Sequence, residues 1–392
     1  MTQKVWDLCE KNFQDIVNVR RQIHMYPEIE FDLPQTAKTI FNELKNLPLE
    51  IRTNVAKHGI VADLKVDGAK HCVALRADMD ALPMQETSDV PYKSKIDGKA
   101  HMCGHDVHSA ILVGAARILC EMREHLQTNV RFIFQPCEEK YPGGAQQMIA
   151  EGAIEDVDEI YGLHVWPLVE VGSIAITPGV FMGQPDSFSI EICGTGSHAA
   201  MPHYSIDPVM IACQYVTMLQ SIVSRNINPF DCAVLSVTQI SAGTATNVIP
   251  QSATIKGTVR TLDKKVQQTI RTQIEKILRG ITESHGATYK FSYEEGYPLT
   301  YNSEQCVEKA LQASQSIIDK DKIVYPYTAF LGGEDFSYYA QKIPGCFVAL
   351  GSANTDKKIG LKMCHHPQFD IDEECIKYGM ALHANLALNF KG

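Results

Sequence analysis

Apolar runs of strand length alternate with amphipathic stretches over the first half of the chain, and no other feature restricts the fold as much. Val5, Trp6, Cys9, Phe13, Ile16, Val17 and Val19 recur at near-helical spacing, so residues 4–23 are expected to form an amphipathic opening helix. A second helix is expected over 35–46, followed by short β-rich runs at Ile60–Val66 and Cys72–Arg76. Asp106 reads as the N-cap of a helix over 107–124. Val130–Phe134 and Glu159–Val165 read as strands, with a helix over Gly144–Ala150 between them. Strands alternating with helices imply an α/β core with a central, mainly parallel sheet. Chemistry in such sheets gathers at the carboxyl ends of the strands.

From residue 185 the pattern changes. Strands are expected at Ser187–Cys193, Ala233–Ile240, Ala253–Arg260 and Thr288–Tyr293, with helices over 206–224 and 264–283. That order suits an α+β open-faced sandwich. After residue 297 helix–strand alternation resumes, so residues 185–296 are expected to be a domain inserted into one formed by 1–184 and 297–392. Two domains also suit 392 residues, which is long for a single core.

Composition removes several classes of function. A net charge of −10 argues against a nucleic-acid or anionic-membrane surface. No apolar run approaches the roughly 20 residues that span a bilayer, and the opening residues Met1–Asp7 carry no secretory pattern. The expected location is the cytoplasm. The 12 cysteines are scattered, and Cys72, Cys193 and Cys213 fall in apolar runs, so reduced thiols packed as small hydrophobes are expected.

The densest chemistry lies in His101-Met102-Cys103-Gly104-His105-Asp106-Val107-His108, with three histidines, a cysteine and an aspartate in eight residues. Cys and His are the ligands that suit zinc and similar metals. Cys103 and His105 would precede a helix whose positive end favours the metal-binding thiolate. The strand Phe132-Ile133-Phe134 delivers Glu138 and Glu139 after it, and adjacent side chains point apart. One can then bind metal while the other acts as a general base; a solvated turn would read the same way. His164 ends an apolar strand, which equally fits a core histidine, and His365-His366 equally fits a surface pair. Arg76-Ala77-Asp78-Met79-Asp80 fits a salt bridge as well as a site.

Together these segments resemble the M20 metallopeptidase and amidohydrolase family, in particular its aminoacylases, hippurate hydrolases, indole-acetyl-amino-acid hydrolases and carboxypeptidases. The resemblance runs through Arg21–Glu28, Arg76–Pro83, the Cys103 loop, Phe134–Glu139, Gly194–His203, Thr246–Pro250, Gly333–Tyr339 and His365–Asp370. It implies a catalytic domain holding two divalent ions, with zinc favoured by the thiolate and manganese, cobalt or nickel as alternatives. It also implies an inserted lid domain that forms a homodimer.

Carried over residue by residue, the resemblance makes Cys103 the ligand shared by both metals. His105 and His164 would complete one, Glu139 and His365 the other. Glu138 becomes the general base and Asp80 the carboxylate that orients a ligand. His198 becomes an oxyanion donor reaching a neighbouring subunit's site, and Asn247 and Arg260 contact the substrate's carboxylate end. Glu334-Asp335 falls in a site-proximal loop of the family, with Gly333 where serine is common. Lys140-Tyr141-Pro142 and Cys364 are further departures, bearing on substrate preference. His24, His101 and His108 are expected to be structural or to support the ligands from behind, and Trp166 a core or pocket-wall residue. The implied reaction is hydrolysis of an N-acyl-amino acid, with a carboxypeptidase or dipeptidase acting on short peptides as the rival. A catalytically silent metal-binding protein would be marked by loss of Glu138, which is present.

Overall fold

The computed structural model describes residues 1–390 and divides into two compact units. The first holds Met1–Phe181, Thr300–Thr328 and the residues from Asp335 on; the second holds Met182–Leu299 and Ala329–Glu334. No sequence signal had set that last short segment apart.

The first unit is built on an eight-stranded sheet. Its centre is parallel, with Asn129–Gln135, Cys72–Asp78, Glu159–Glu170 and Gly345–Ala353 side by side in that order. Gly59–Leu64 and then Glu50–Val55 extend one side as antiparallel strands, and Ile174–Ala175 and Ile323–Val324 extend the other. Cys72–Asp78 is buried at every position, as a two-sided parallel strand requires. The edge strand Glu50–Val55 had no sequence signature because only Val55 is buried, so no alternation marks it.

Helices Thr2–Met25, His105–Glu121 and Cys375–Asn389 pack against one another. The first contributes an apolar stripe from Val5 through Ile23. His105–Glu121 is buried along almost its whole length, so it is apolar all round rather than amphipathic. It starts earlier than Asp106 suggested. The N-cap is Gly104 and no side chain caps it. Asp106 sits inside the first turn, where Arg20 Nε at 2.7 Å and His24 Nδ1 at 2.8 Å engage its carboxylate. Two buried partners outcompete the helix N–H groups for that side chain.

The second unit is a four-stranded antiparallel sheet ordered Ala233–Ala242, Ser252–Thr261, Gln184–Cys193, Thr288–Glu294. Helices Pro208–Asn226 and Lys264–His285 pack on it. Ser252–Thr261 alternates buried and more exposed residues, which leaves the sheet with one covered face. Asp263 caps its helix through the N–H groups of Lys265 at 2.6 Å and Val266 at 3.1 Å. The edge strand Ala233–Ala242 is mostly exposed.

All twelve cysteines are free thiols. Cys72 is buried as expected, Cys193 is half-buried, and Cys213 is exposed, because its helix position faces away from the sheet. No helix among the described residues is long and apolar enough to cross a membrane.

Directly opposite each other in the antiparallel pair, Asp63 and Arg131 form a two-point ion pair at 2.7 and 2.9 Å. Burial pushes the Asp63 carboxyl up, but the Arg131 guanidinium outweighs it and holds the pKa below the usual carboxylate range. A carboxyl whose pKa falls on folding stabilises the fold above its unfolded value, near 4, and loses that contribution as pH drops through the folded value. Asp63→Asn is therefore expected to destabilise the first unit by about 2 kcal/mol at neutral pH. Melting curves of the two proteins should converge as pH falls below about 4; a gap that stays constant would remove the pair from the acid response.

Candidate metal centre

The candidate ligands all lie in the first unit. Glu138 and Glu139 follow the carboxyl end of Asn129–Gln135, whereas His164 lies within Glu159–Glu170 rather than at its end, because that strand runs on beyond the expected Val165. Cys103 leaves the segment before helix His105–Glu121, and Gly104 makes the turn between them with φ of +97°. A Cβ at Gly104 would lie 2.3 Å from Val165 Cγ2, so only glycine permits this approach. His365 is delivered from the far end of the chain with φ of +68°, a left-handed conformation that a non-glycine residue adopts only under constraint. Its N–H donates to the Met102 carbonyl at 2.7 Å, which ties the His365 segment to that of Cys103.

Three donor groups contain the expected ligands, and Asp78, His105 and His108 make a further one. The ligand atoms of Cys103, His105 and His164 lie within 4.8 Å of one another, and so do those of Cys103, Glu139 and His365. Cys103 belongs to both sets. His105, Glu138 and Glu139 form a third group within the same distance. Cys103 Sγ is 3.4 Å from His164 Nε2, and His365 Nε2 is 3.3 Å from Glu139 Oε1.

Both ring nitrogens of His105 and Oε1 of Glu139 are buried without a hydrogen-bond partner in the structure. Asp80 Oδ1, at 3.4 Å from His105 Nδ1, is too poorly aligned to satisfy it. Orphaned buried donors and acceptors cost roughly 1–3 kcal/mol each. Here they are sulfur, imidazole and carboxylate atoms facing one another, a donor set that fits divalent transition metals. His164 donates Nδ1–H to the Val165 carbonyl at 2.7 Å, which leaves Nε2 as the acceptor nitrogen facing Cys103.

Asp80 is wholly buried and accepts the N–H groups of Glu138 at 2.9 Å and Glu139 at 3.1 Å. One carboxylate thus holds the backbone of both glutamates, which fixes where their side chains start. Cys137, just before them, has φ of +58°, so the chain turns sharply out of the strand there.

Buried charge dominates the electrostatics of these groups. A hydrogen bond with the Cys364 thiol, burial, and the carboxylates of Glu139 and Glu138 all push the Cys103 pKa well up. Burial alone would lower the His105 pKa, but Asp78, Asp80 and Glu139 outweigh it and raise it. His164 goes the other way, held well down by burial and the neighbouring His108. Loading such a site must displace the protons of Cys103 and His105.

His198, Asn247 and Arg260 belong to the second unit. His198 is exposed and pairs with Val248 in a two-stranded ladder, and the Asn247 carbonyl accepts from Ala199 at 3.0 Å, so these two residues are neighbours. Arg260 lies apart from them on Ser252–Thr261, half-buried and bonded to the Thr258 hydroxyl and the Val259 carbonyl. Glu334 is in the second unit. Asp335 is buried in the first, accepting from Arg76 at 2.8 Å, Gln135 at 2.7 and 2.8 Å and the Ala145 N–H at 3.0 Å. Those four contacts make Asp335 a structural anchor beneath the strand ends.

Asp78 and His108 take the supporting places that the sequence allowed them, but their link to each other was not foreseen. Asp78 joins Arg76 at 2.7 Å to His108 Nδ1 at 2.7 Å, in the fully buried floor of the site. The signal was available, since Asp78 ends the same strand as Arg76 and His108 lies three residues after His105.

The model of peptidase family M20/M25/M40 matches residues 74–389, a span that includes every donor above. The chain belongs to that family. It is 38% identical over 383 residues to an N-acetylcysteine deacetylase of Bacillus subtilis, covering 97% of this chain and 98% of that protein. It is 37% identical over 394 residues to thermostable carboxypeptidase 2 of Saccharolobus solfataricus, covering 98% and 99% respectively. The crystal structure of the Bacillus subtilis YXEP protein, described as a dinuclear metal binding peptidase from the M20 family, superposes with a TM-score of 0.84 at 34% identity. It covers 97% of this chain and 98% of its own. The chain is thus a hydrolase of the C–N bond-cleaving class to which its family relatives belong.

Gly104→Ala places a methyl inside Val165 and forces alanine into a left-handed backbone, displacing Cys103 from His164. Metal content by atomic absorption and turnover are both expected to fall, turnover on the order of 100-fold for a displacement of about 1 Å. A variant with full metal content and full activity would show that the loop tolerates the change.

Proposed function

We propose that the protein hydrolyses the amide bond of N-acyl-amino acids using two divalent metal ions. The observation that carries this reading is the position of Cys103 in two separate donor triads, with Glu138 beside both. Cys103, His105 and His164 would hold one ion, and Cys103, Glu139 and His365 the other. Such a pair of ions lowers the pKa of an attacking water and polarises the scissile carbonyl. A thiolate among the ligands favours zinc, with manganese, cobalt or nickel suiting the same donors.

Glu138 is the general base in this reading. Its backbone is pinned to Asp80, its carboxylate lies in the His105–Glu139 group, and it is the glutamate not needed by either triad. It takes the proton of the water and returns one to the leaving amine. Asp80, by holding the N–H groups of both glutamates, keeps base and ligand in fixed relation.

The second unit supplies the remaining roles. We take the protein to be a homodimer, supported by the exposed edge strand Ala233–Ala242 and by apolar side chains left open beside it. Met210 and Met218 are exposed, and Phe230 is 96% accessible. His198 is the residue we assign to stabilise the developing oxyanion across that dimer, with Asn247 and Arg260 contacting the substrate carboxylate. Twelve unpaired thiols suit a reducing compartment such as the cytoplasm.

A peptidyl in place of an acyl group would make the same site a carboxypeptidase or dipeptidase, and the similarity to thermostable carboxypeptidase 2 favours testing it. A panel of N-acetyl-, N-benzoyl- and dipeptide substrates, with metal-stripped protein reloaded with single divalent ions, separates the two. The highest kcat/KM is expected on the N-acyl-amino acids. Glu138→Gln should keep both ions and lose about 100- to 10,000-fold in kcat. Full turnover in that variant would place the base elsewhere.

A further inference from the structure

The strand Glu159–Glu170 runs on past its neighbour. Its register with Cys72–Asp78 stops at the Arg76–Gly162 pair, while on the other side it continues to pair with Gly345–Ala353 through His164, Val165 and beyond. The backbone beyond Gly162 therefore needs a partner that Cys72–Asp78 does not supply, because a buried N–H left unpaired is costly. His108 supplies it. Val165 donates its N–H to His108 Nε2 at 2.9 Å.

That bond dictates the protonation of His108. An imidazole nitrogen that accepts an N–H carries no proton, so the proton of neutral His108 sits on Nδ1. There it is donated to Asp78 Oδ1 at 2.7 Å, while Asp78 Oδ2 is held by Arg76 at 2.7 Å and the Asp78 carbonyl accepts from Ser109 at 2.8 Å. With both nitrogens engaged, His108 is removed from the ligand set even though its ring packs against both ligand histidines. Its centroid is 4.5 Å from that of His164 and 5.5 Å from that of His105.

Val165 carries the constraint onward, through the two peptide groups that flank its Cα. The Val165 N–H is bound to His108, and its carbonyl accepts Nδ1–H of His164 at 2.7 Å. The opposite nitrogen of His164 is the one that faces Cys103 at 3.4 Å.

The geometry points to Asp78 and His108 as positioning residues that orient His164 for metal through the Val165 backbone. This rests on the reading of His164 as a ligand. The chain acts on the ion held by Cys103, His105 and His164, and leaves the ion held by Cys103, Glu139 and His365 with its own donors.

Cobalt titration of the metal-stripped whole protein, followed by visible absorption and calorimetry, tests it. His108→Leu keeps bulk and removes the acceptor. It should weaken one of two binding events by about 10- to 100-fold and leave the other within about threefold. His108→Gln, whose amide oxygen can accept from Val165, should recover most of the loss. Equal weakening of both events, or none, would overturn the inference, as would a glutamine variant no better than leucine. His164→Ala separates this from the underlying assignment: two undiminished events there would sink His164 as a ligand, whatever His108 does. Should the leucine variant not fold, nitrogen-15 spectra of histidine-labelled wild-type protein still decide the matter. Neutral His108 is expected with its proton on Nδ1, and a proton on Nε2 would rule out the bond to Val165.

Discussion

One thiol serves two donor sets, and much of the first unit is arranged to put it there. Cys103 lies within ligand distance of His105 and His164 on one side and of Glu139 and His365 on the other. Those partners come from four separate places in the sequence, so the sheet must bring its strand ends to within a few ångströms of a single sulfur. The turn at Gly104, which no Cβ could enter, and the left-handed backbone at His365 are local consequences of that requirement. The bond from the His365 N–H to the Met102 carbonyl then locks the two segments in place.

Beneath the donors lies a floor of buried charge. Arg76 links Asp78 and Asp335, and Arg20 and His24 converge on Asp106 next to His105. Arg20 also reaches Glu373 at 3.2 Å and Asp370 at 3.4 Å, in the segment that follows His365. Each ion pair costs desolvation and yields little net stability by itself, but breaking one leaves a buried charge without its counterpart. The floor therefore resists small displacements of the strand ends it joins. The donors above it stay orphaned and mutually close, which is the condition under which a metal ion, rather than a rearrangement of side chains, satisfies them.

Periodicity made the architecture legible because the central strands and the packed helices carry strong apolar signals. It was silent on Glu50–Val55, which buries one residue and so lacks a pattern, and on the short segment Ala329–Glu334. The site was legible as motifs: Cys103, His105, Glu138 and Glu139 fall in dense polar clusters after apolar runs. His164 and His365 looked ordinary one at a time, and only their place in a family pattern, then their distances to Cys103, set them apart. Asp106 was misread because capping is a local rule, and its true partners, Arg20 and His24, lie more than 80 residues away in sequence. The partner of His108 was hidden for the same reason, since Val165 is 57 residues on.

Sharing of the Cys103 sulfur is the claim on which the rest stands, and counting ions tests it most directly. Native mass spectrometry or equilibrium dialysis of Cys103→Ala should find both ions lost or weakened by at least about 100-fold, whereas His365→Ala should retain one ion. If Cys103→Ala keeps one ion at wild-type affinity, the thiol serves a single metal and the shared-ligand account is wrong.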